Sequence, residues 1–227
     1  MLEPFGPSLY IADGPVVSFH GFPYPTRMAV ARLSDGSAWV WSPIALTTEL
    51  ADKVQAIGPV RYIVSPNKLH YLFLQAWAGH WPDARLYAPP GLARKKRALH
   101  FHAMLDDQPI SSWAADIDYV VFRGSFAMDE VAFFHRASRT AIIGDLIQRF
   151  TDEHLSGWKG MVMKLCGLAG ENGSTPPDWR ASFLRHGPAR AALDKVLAWN
   201  PERLLIAHGS CAQNGAADII EKALRWI

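Results

Sequence analysis

Three residues of types that bind metals well each sit in a loop that directly follows an apolar stretch. They are His70 in Ser65-Pro66-Asn67-Lys68-Leu69-His70, Asp145 in Gly144-Asp145, and His208 in Ala207-His208-Gly209. Two imidazoles and one carboxylate form a competent set for one zinc or non-haem iron ion, with coordination positions left open for water and substrate. Such an ion lowers the pKa of bound water to about 7 and so supplies a nucleophile at neutral pH. Each residue also has a plainer reading. His70, after Pro66-Asn67, suits a capping or core position; Asp145 suits the N-cap of the segment that follows it; and His208 suits a histidine bonded to a nearby backbone carbonyl.

Other candidates carry weaker signals. His100-Phe101-His102 is the only H-x-H in the chain, but it follows a basic stretch rather than an apolar strand and has no Asp-His to complete a metal motif. His20, beside Gly21 and a proline-rich loop, is placed to approach a cleft from the N-terminal sheet, and His135 alternates with Phe133 on a strand. Asp129 and Glu130 suit general acid or base work if they reach a pocket, although adjacent carboxylates at a strand start are commonly solvated. Arg136 and Arg139 flank a turn, a nonspecific place for an anion, and Cys211, three residues after His208, reads as a buried, inert thiol ahead of a reactive one or a soft ligand. The run Arg94-Lys95-Lys96-Arg97 reads as the solvated face of a helix ahead of a phosphate or nucleic-acid patch.

The elements that must position these residues follow from periodicity. Residues 8–12, 16–19, 27–33 and 38–41 read as short strands of an antiparallel start, with a turn at Ser34-Asp35-Gly36-Ser37. Leu50, Val54 and Ile57 fall at i, i+4 and i+7, which predicts a helix over 47–57, capped by Thr47 or Thr48 and stopped at Gly58-Pro59. A strand over 61–64 runs into the loop of His70, and a helix over 70–81 follows. Further on, 85–87 reads as a strand, 91–99 as a helix, 130–135 and 140–143 as paired strands, 189–199 as a helix, 203–206 as a strand, and the end as a last helix. Residues 151–177, rich in glycine, read as one helix and a loop. Meandering strands followed by alternating strands and helices indicate a layered αβ fold with a mixed sheet.

Composition narrows the function classes. The 23 basic and 21 acidic residues leave a net charge of +2, which gives no global case for nucleic acid or acidic membrane as a partner. Two distant cysteines support neither a thiolate zinc knot nor a disulfide framework and fit a reducing compartment. With no apolar run near the roughly 20 residues that span a bilayer, and an acid and a proline where a signal peptide would place basic then apolar residues, the chain reads as soluble and cytoplasmic. A length of 227 residues suits one domain, 1–227, with a small molecule as ligand; the oligomeric state is not legible.

The segments SPIALT, SPNKLH, FFHRASRTAIIGDL and IAHG resemble DUF4336, a divergent branch of the metallo-β-lactamase superfamily, over nearly the whole chain. The resemblance implies a four-layer αββα sandwich with mixed sheets. It also implies a metal centre in which His70, Asp145 and His208 are ligands and Asp145 takes part in catalysis. The superfamily motif H-x-H-x-D-H places Ser65, Asn67 and Leu69 where two histidines and an aspartate belong, and Gly124-Ser125-Phe126 offers no further imidazole. The implied centre is therefore mononuclear at most, with one divalent metal, zinc ahead of iron or manganese, or none. Ser65 and Asn67 are then expected to line the vacated cleft as substrate-binding groups. The function implied is metal-dependent hydrolysis of a small ester, amide or phosphoester. The alternatives are a non-catalytic binding module that keeps the fold without metal, and an iron oxidoreductase on the same ligands.

Overall fold

The computed structural model describes residues 1–19, 21–106, 108–151 and 157–227. Strands β1 (Glu3–Gly6), β2 (Leu9–Phe19), β3 (Phe22–Arg32) and β4 (Ala38–Trp41) pair antiparallel in sequence order. Three parallel strands, β5 (Val60–Val64), β6 (Arg85–Ala88) and β7 (Ala103–Met104), complete a seven-stranded mixed sheet. The second sheet has the order β11-β10-β9-β8, formed by β8 (Ile117–Phe122), β9 (Glu130–His135), β10 (Thr140–Ile143) and β11 (Arg203–Ile206). Its β10 and β11 are parallel and its other pairs antiparallel.

Side-chain alternation builds the layers, because successive residues of a strand face opposite sides of the sheet. Ala29, Ala31, Trp39, Trp41 and Val64 of the first sheet meet Val131, Phe133, Ile142 and Leu205 of the second in one central core. Their neighbours Met28, Val30, Val40 and Ile63 turn outward to pack with Val54 of α1 (Thr48–Ile57) and Leu74 and Trp77 of α2 (Leu74–His80). From the other sheet Ala132, Ala141, Ile143 and Leu204 turn outward onto α6 (His186–Ala198) and α7 (Ala216–Ala223). The result is an αββα sandwich, as the resemblance implies. Tryptophan fills the middle: Trp39 lies edge-on to Phe133 at 5.2 Å, and Trp113 to Tyr87 at 4.4 Å.

Several elements differ from the sequence expectation for identifiable reasons. Residues 9–19 form one strand with an irregularity between Asp13 and Val16, where Gly14-Pro15 interrupts the pairing. The helix expected over 70–81 begins only at Leu74, because the Ser65 hydroxyl faces the carbonyl of His70 at 2.9 Å and holds that residue outside the helix. Of the helix expected over 91–99 only α3 (Leu92–Lys95) forms. The sequence reading passes over β8. Within 151–177 a helix, α4 (Gly157–Leu165), forms, and a short α5 (Pro177–Ala181) follows.

The start of β3 is the feature that most affects the site. Only Ala29–Arg32 pair with β4, so the portion around Pro23 and Pro25 borders β2 alone. Proline is tolerated where a strand has a free edge. That open edge lies against the loop after β11, as described next.

Candidate metal centre

The strands that end in candidate ligands bring their carboxyl ends together, the usual place for a site in sheets of this kind. The Nε2 atom of His208 lies 2.9 Å from Asp145 Oδ1, and Nε2 of His70 lies 3.3 Å from Asp145 Oδ2. One ligand atom from each of the three residues falls within 4.8 Å of the others. Ligands about 2.0–2.1 Å from a tetrahedral centre stand roughly 3.3–3.4 Å apart, close to the two histidine-to-carboxylate separations here. Among the described residues this is the only such cluster of three or more histidines, cysteines or carboxylates.

Both imidazoles are aimed by a bond at the far nitrogen. His208 Nδ1 lies 2.7 Å from the carbonyl of Pro25, which can only accept, so the proton sits on Nδ1 and Nε2 is left as the ligand atom. His70 Nδ1 is 2.6 Å from the hydroxyl of Ser42. Ser42 follows the last residue of β4 with a left-handed φ of 50°, a conformation that a non-glycine residue rarely adopts. Orienting bonds of this kind fix tautomer and ring angle in metal sites. The loop of His208 is also clamped to the first sheet by Arg27 of β3. Its Nη1 donates to the carbonyls of Ile206 (3.0 Å) and Gly209 (2.7 Å), while its Nε pairs with Asp13 at 2.6 Å.

Beneath Asp145 lies a network that sequence reasoning did not anticipate. Glu130, expected at a solvated strand start, is fully buried. Its carboxylate accepts the backbone N–H groups of Gly144 (2.9 Å), Asp145 (2.7 Å) and Leu146 (3.1 Å) and a bond from Asn67 Nδ2 (2.7 Å). The same Asn67 nitrogen reaches Asp145 Oδ2 at 2.8 Å, so the amide bridges two carboxylates. Burial, and then repulsion from Asp145, push the Glu130 carboxyl up, while the four donors around it favour its ionised form. Burial would also raise Asp145, but His70 and His208 prevail and hold it well below the usual carboxylate range. Gly144 is glycine for a steric reason: a Cβ there would sit 2.8 Å from Glu130 Oε2.

Ser65 and Asn67 lie behind the cleft and do not line it, which corrects their expected role as substrate-binding groups. Both are fully buried. The Ser65 hydroxyl faces the carbonyls of Asn67 and His70, and Asn67 Oδ1 accepts from Leu69 N. Where the superfamily has a second metal's ligands, this chain has internal hydrogen bonds.

The cleft above the three ligands has a volume of about 490 Å³. Tyr24 lies in its wall, its ring edge-on to His208 at 5.1 Å, and its hydroxyl is pushed up to about 12 by burial and then by the charge of Asp145. Neither Tyr24 nor Ser42 was singled out from the sequence, because the contacts that recruit them span far-apart segments.

The remaining candidates fall elsewhere. His20 lies outside the described residues. His100 and His102 are exposed and do not join the ligand cluster. His135 is buried and bonded to Ser138 at 2.7 Å. Arg136 pairs with Asp118 and Arg139 with Glu202. The Cys211 thiol is pushed up by burial and lies 3.1 Å from Arg27 Nη1.

Fold and ligand arrangement together define a protein of the metallo-β-lactamase fold, and comparison with solved structures agrees. The metallo-β-lactamase from Hirschia baltica matches with a TM-score of 0.65 at 14% identity, covering 100% of this chain and 96% of that one. The mono-zinc form of the metallo-β-lactamase FIM-1 from Pseudomonas aeruginosa matches with a TM-score of 0.65 at 12% identity, over 99% and 94%. A putative diflavin flavoprotein from Nostoc sp. PCC 7120 matches with a TM-score of 0.65 at 9% identity, over 100% and 94%. Curated proteins yield no match. Residues 19–223 match the family described as "Domain of unknown function (DUF4336)", and the chain belongs to that family.

Proposed function

We propose that this protein is a hydrolase using one divalent metal ion, zinc in the first instance, on a small ester, amide or phosphoester. The observation that carries the reading is the convergence of His70, Asp145 and His208 on one point, with each imidazole tied back through Nδ1 so that Nε2 faces inward. When bound, the ion would act as a Lewis acid and lower the pKa of water to about 7. The chain's own residues do the rest. His70 and His208 would offer the nitrogen ligands, and Asp145, whose carboxyl lies well below the usual range, would offer the anionic one. Tyr24, kept protonated, stands in the cleft wall with its ring against His208. A single ion is compatible with this fold, since FIM-1 exists in a mono-zinc form.

Elemental analysis of the purified protein tests the reading. One zinc per chain is expected, lost in both His208→Ala and Asp145→Ala while circular dichroism is retained, because the fold rests on its apolar layers. Stoichiometric iron would favour an oxidoreductase on the same ligands. Absence of any metal, even after incubation with zinc, would leave a binding module that keeps the fold alone.

A further inference from the structure

We propose that the ligand of the cleft is an amphiphilic anion, with an apolar body along the walls and a carboxylate or phosphate head held by Lys68 and Lys95. The proposal rests on reading the cleft as the active site and adds the chemical class of what enters it. The walls are largely apolar, with Val17, Leu69, Phe73, Met128 and Trp179 among them. The rim continues this character into solvent. Leu72 belongs to the wall yet is 55% exposed. A largely apolar cleft with a few polar groups at its edge suits a ligand with an apolar body.

The cations are specifically placed. Lys68 stands two residues before His70, and its ammonium donates to the carbonyl of Ala127. Lys95, from the basic run at 94–97, donates to the carbonyl of Lys68 at 3.1 Å and stands 4.3 Å from the ring centre of Tyr71, a lining residue. An ammonium has three donors, so each lysine keeps donors beyond the one already used. The basic run is therefore recruited in part to the cleft wall and is not only the solvated face that its sequence suggests.

Two acids also line the cleft: Asp145, which lies between two imidazoles, and Asp178 of α5. An anionic head gains by facing the lysines; a neutral or cationic head does not.

Isothermal titration of the full-length protein with octanoate, octyl phosphate and octanamide tests the assignment. It should be run as purified and after chelator treatment, so that carboxylate binding to metal is separated from binding to lysine. At least one anion should bind the chelator-treated protein about tenfold more tightly than octanamide, and the tighter of the two identifies the head group. Lys95→Gln should bring that anion to the level of the amide, whereas Arg94→Gln, on the same basic run but outside the wall, should leave the preference intact. Equal binding of anion and amide, a preference that survives Lys95→Gln, or no binding of any probe would overturn the proposal. Zinc content of the same samples reads the hydrolase assignment separately. Zinc retained without anion preference sinks only the ligand class, and anion preference without zinc sinks only the hydrolase.

Discussion

Replacing Glu130 by glutamine tests whether the buried carboxylate holds the loop that presents Asp145. In the native protein four donors converge on its two oxygens: three consecutive backbone N–H groups at 144–146 and Asn67 Nδ2. A glutamine keeps the shape and one acceptor oxygen. If that oxygen takes the place of Oε1, it still serves Gly144 and Leu146, but the new NH₂ then meets Asp145 N and Asn67 Nδ2 donor to donor. Each buried donor left without a partner costs about 1–3 kcal/mol, which sums to roughly 2–6 kcal/mol. Removing a carboxyl that burial and Asp145 both disfavour gives part of this back, and a net loss of about 3 kcal/mol is expected. Urea unfolding should therefore show a midpoint lower by about 1–2 M with an unchanged slope, for a slope of about 2 kcal/mol/M. Zinc uptake should weaken in parallel, because one of the two orphaned N–H groups belongs to Asp145 itself. Asp129→Asn, one residue away but only partly buried, should shift stability by no more than about 0.5 kcal/mol. A Glu130→Gln midpoint within error of the parent would refute the claim that this network holds the loop.

Three further outcomes follow from the same geometry. Ser42→Ala removes the bond that aims His70 and should weaken zinc affinity about 10–100-fold in a competition titration; unaltered affinity would deny Ser42 its orienting role. Gly144→Ala forces a methyl against Glu130 Oε2 and should destabilise by about 1–3 kcal/mol, and a neutral result would mean that the loop yields freely. Burial holds the His135 imidazole down at about 4, against an ordinary 6.5, so the unfolded chain takes up the proton first as pH falls. Stability should then be full above about pH 6.5 and decline towards pH 4 by up to about 3 kcal/mol, a slope that His135→Gln should lessen; parallel stability profiles for the two proteins would contradict this.

Which residues stand on strands and which on loops is largely legible in the chain, because the period-2 and 3.6-residue patterns are local. The helix expected over 47–57 forms as α1, with Thr47 Oγ1 accepting from Leu50 N. The strands carrying the loops of His70, Asp145 and His208 lie within a residue of their expected bounds. Strand β8 was equally legible, since Ile117-Asp118-Tyr119-Val120-Val121-Phe122 is β-branched and aromatic, but it follows a polar stretch that masks its start. The chain also displays its potential ligands plainly, as residue types placed after apolar strands.

Tertiary structure alone decided what those ligands face and what lies behind them. Glu130 looks like a surface acid until β9 places it under the loop after β10, where three N–H groups outcompete water for its carboxylate. Asn67 looks like a cleft residue until its amide is found bridging two buried acids. Pro25 and Arg27 carry no signal for a metal site, yet the open edge of β3 lets them fix a loop some 180 positions later in the chain. Periodicity records which side of an element is apolar, a property of neighbours in sequence. The partners of a polar atom depend on how two sheets stack, and that is set by distant residues jointly, so no short stretch of sequence contains it.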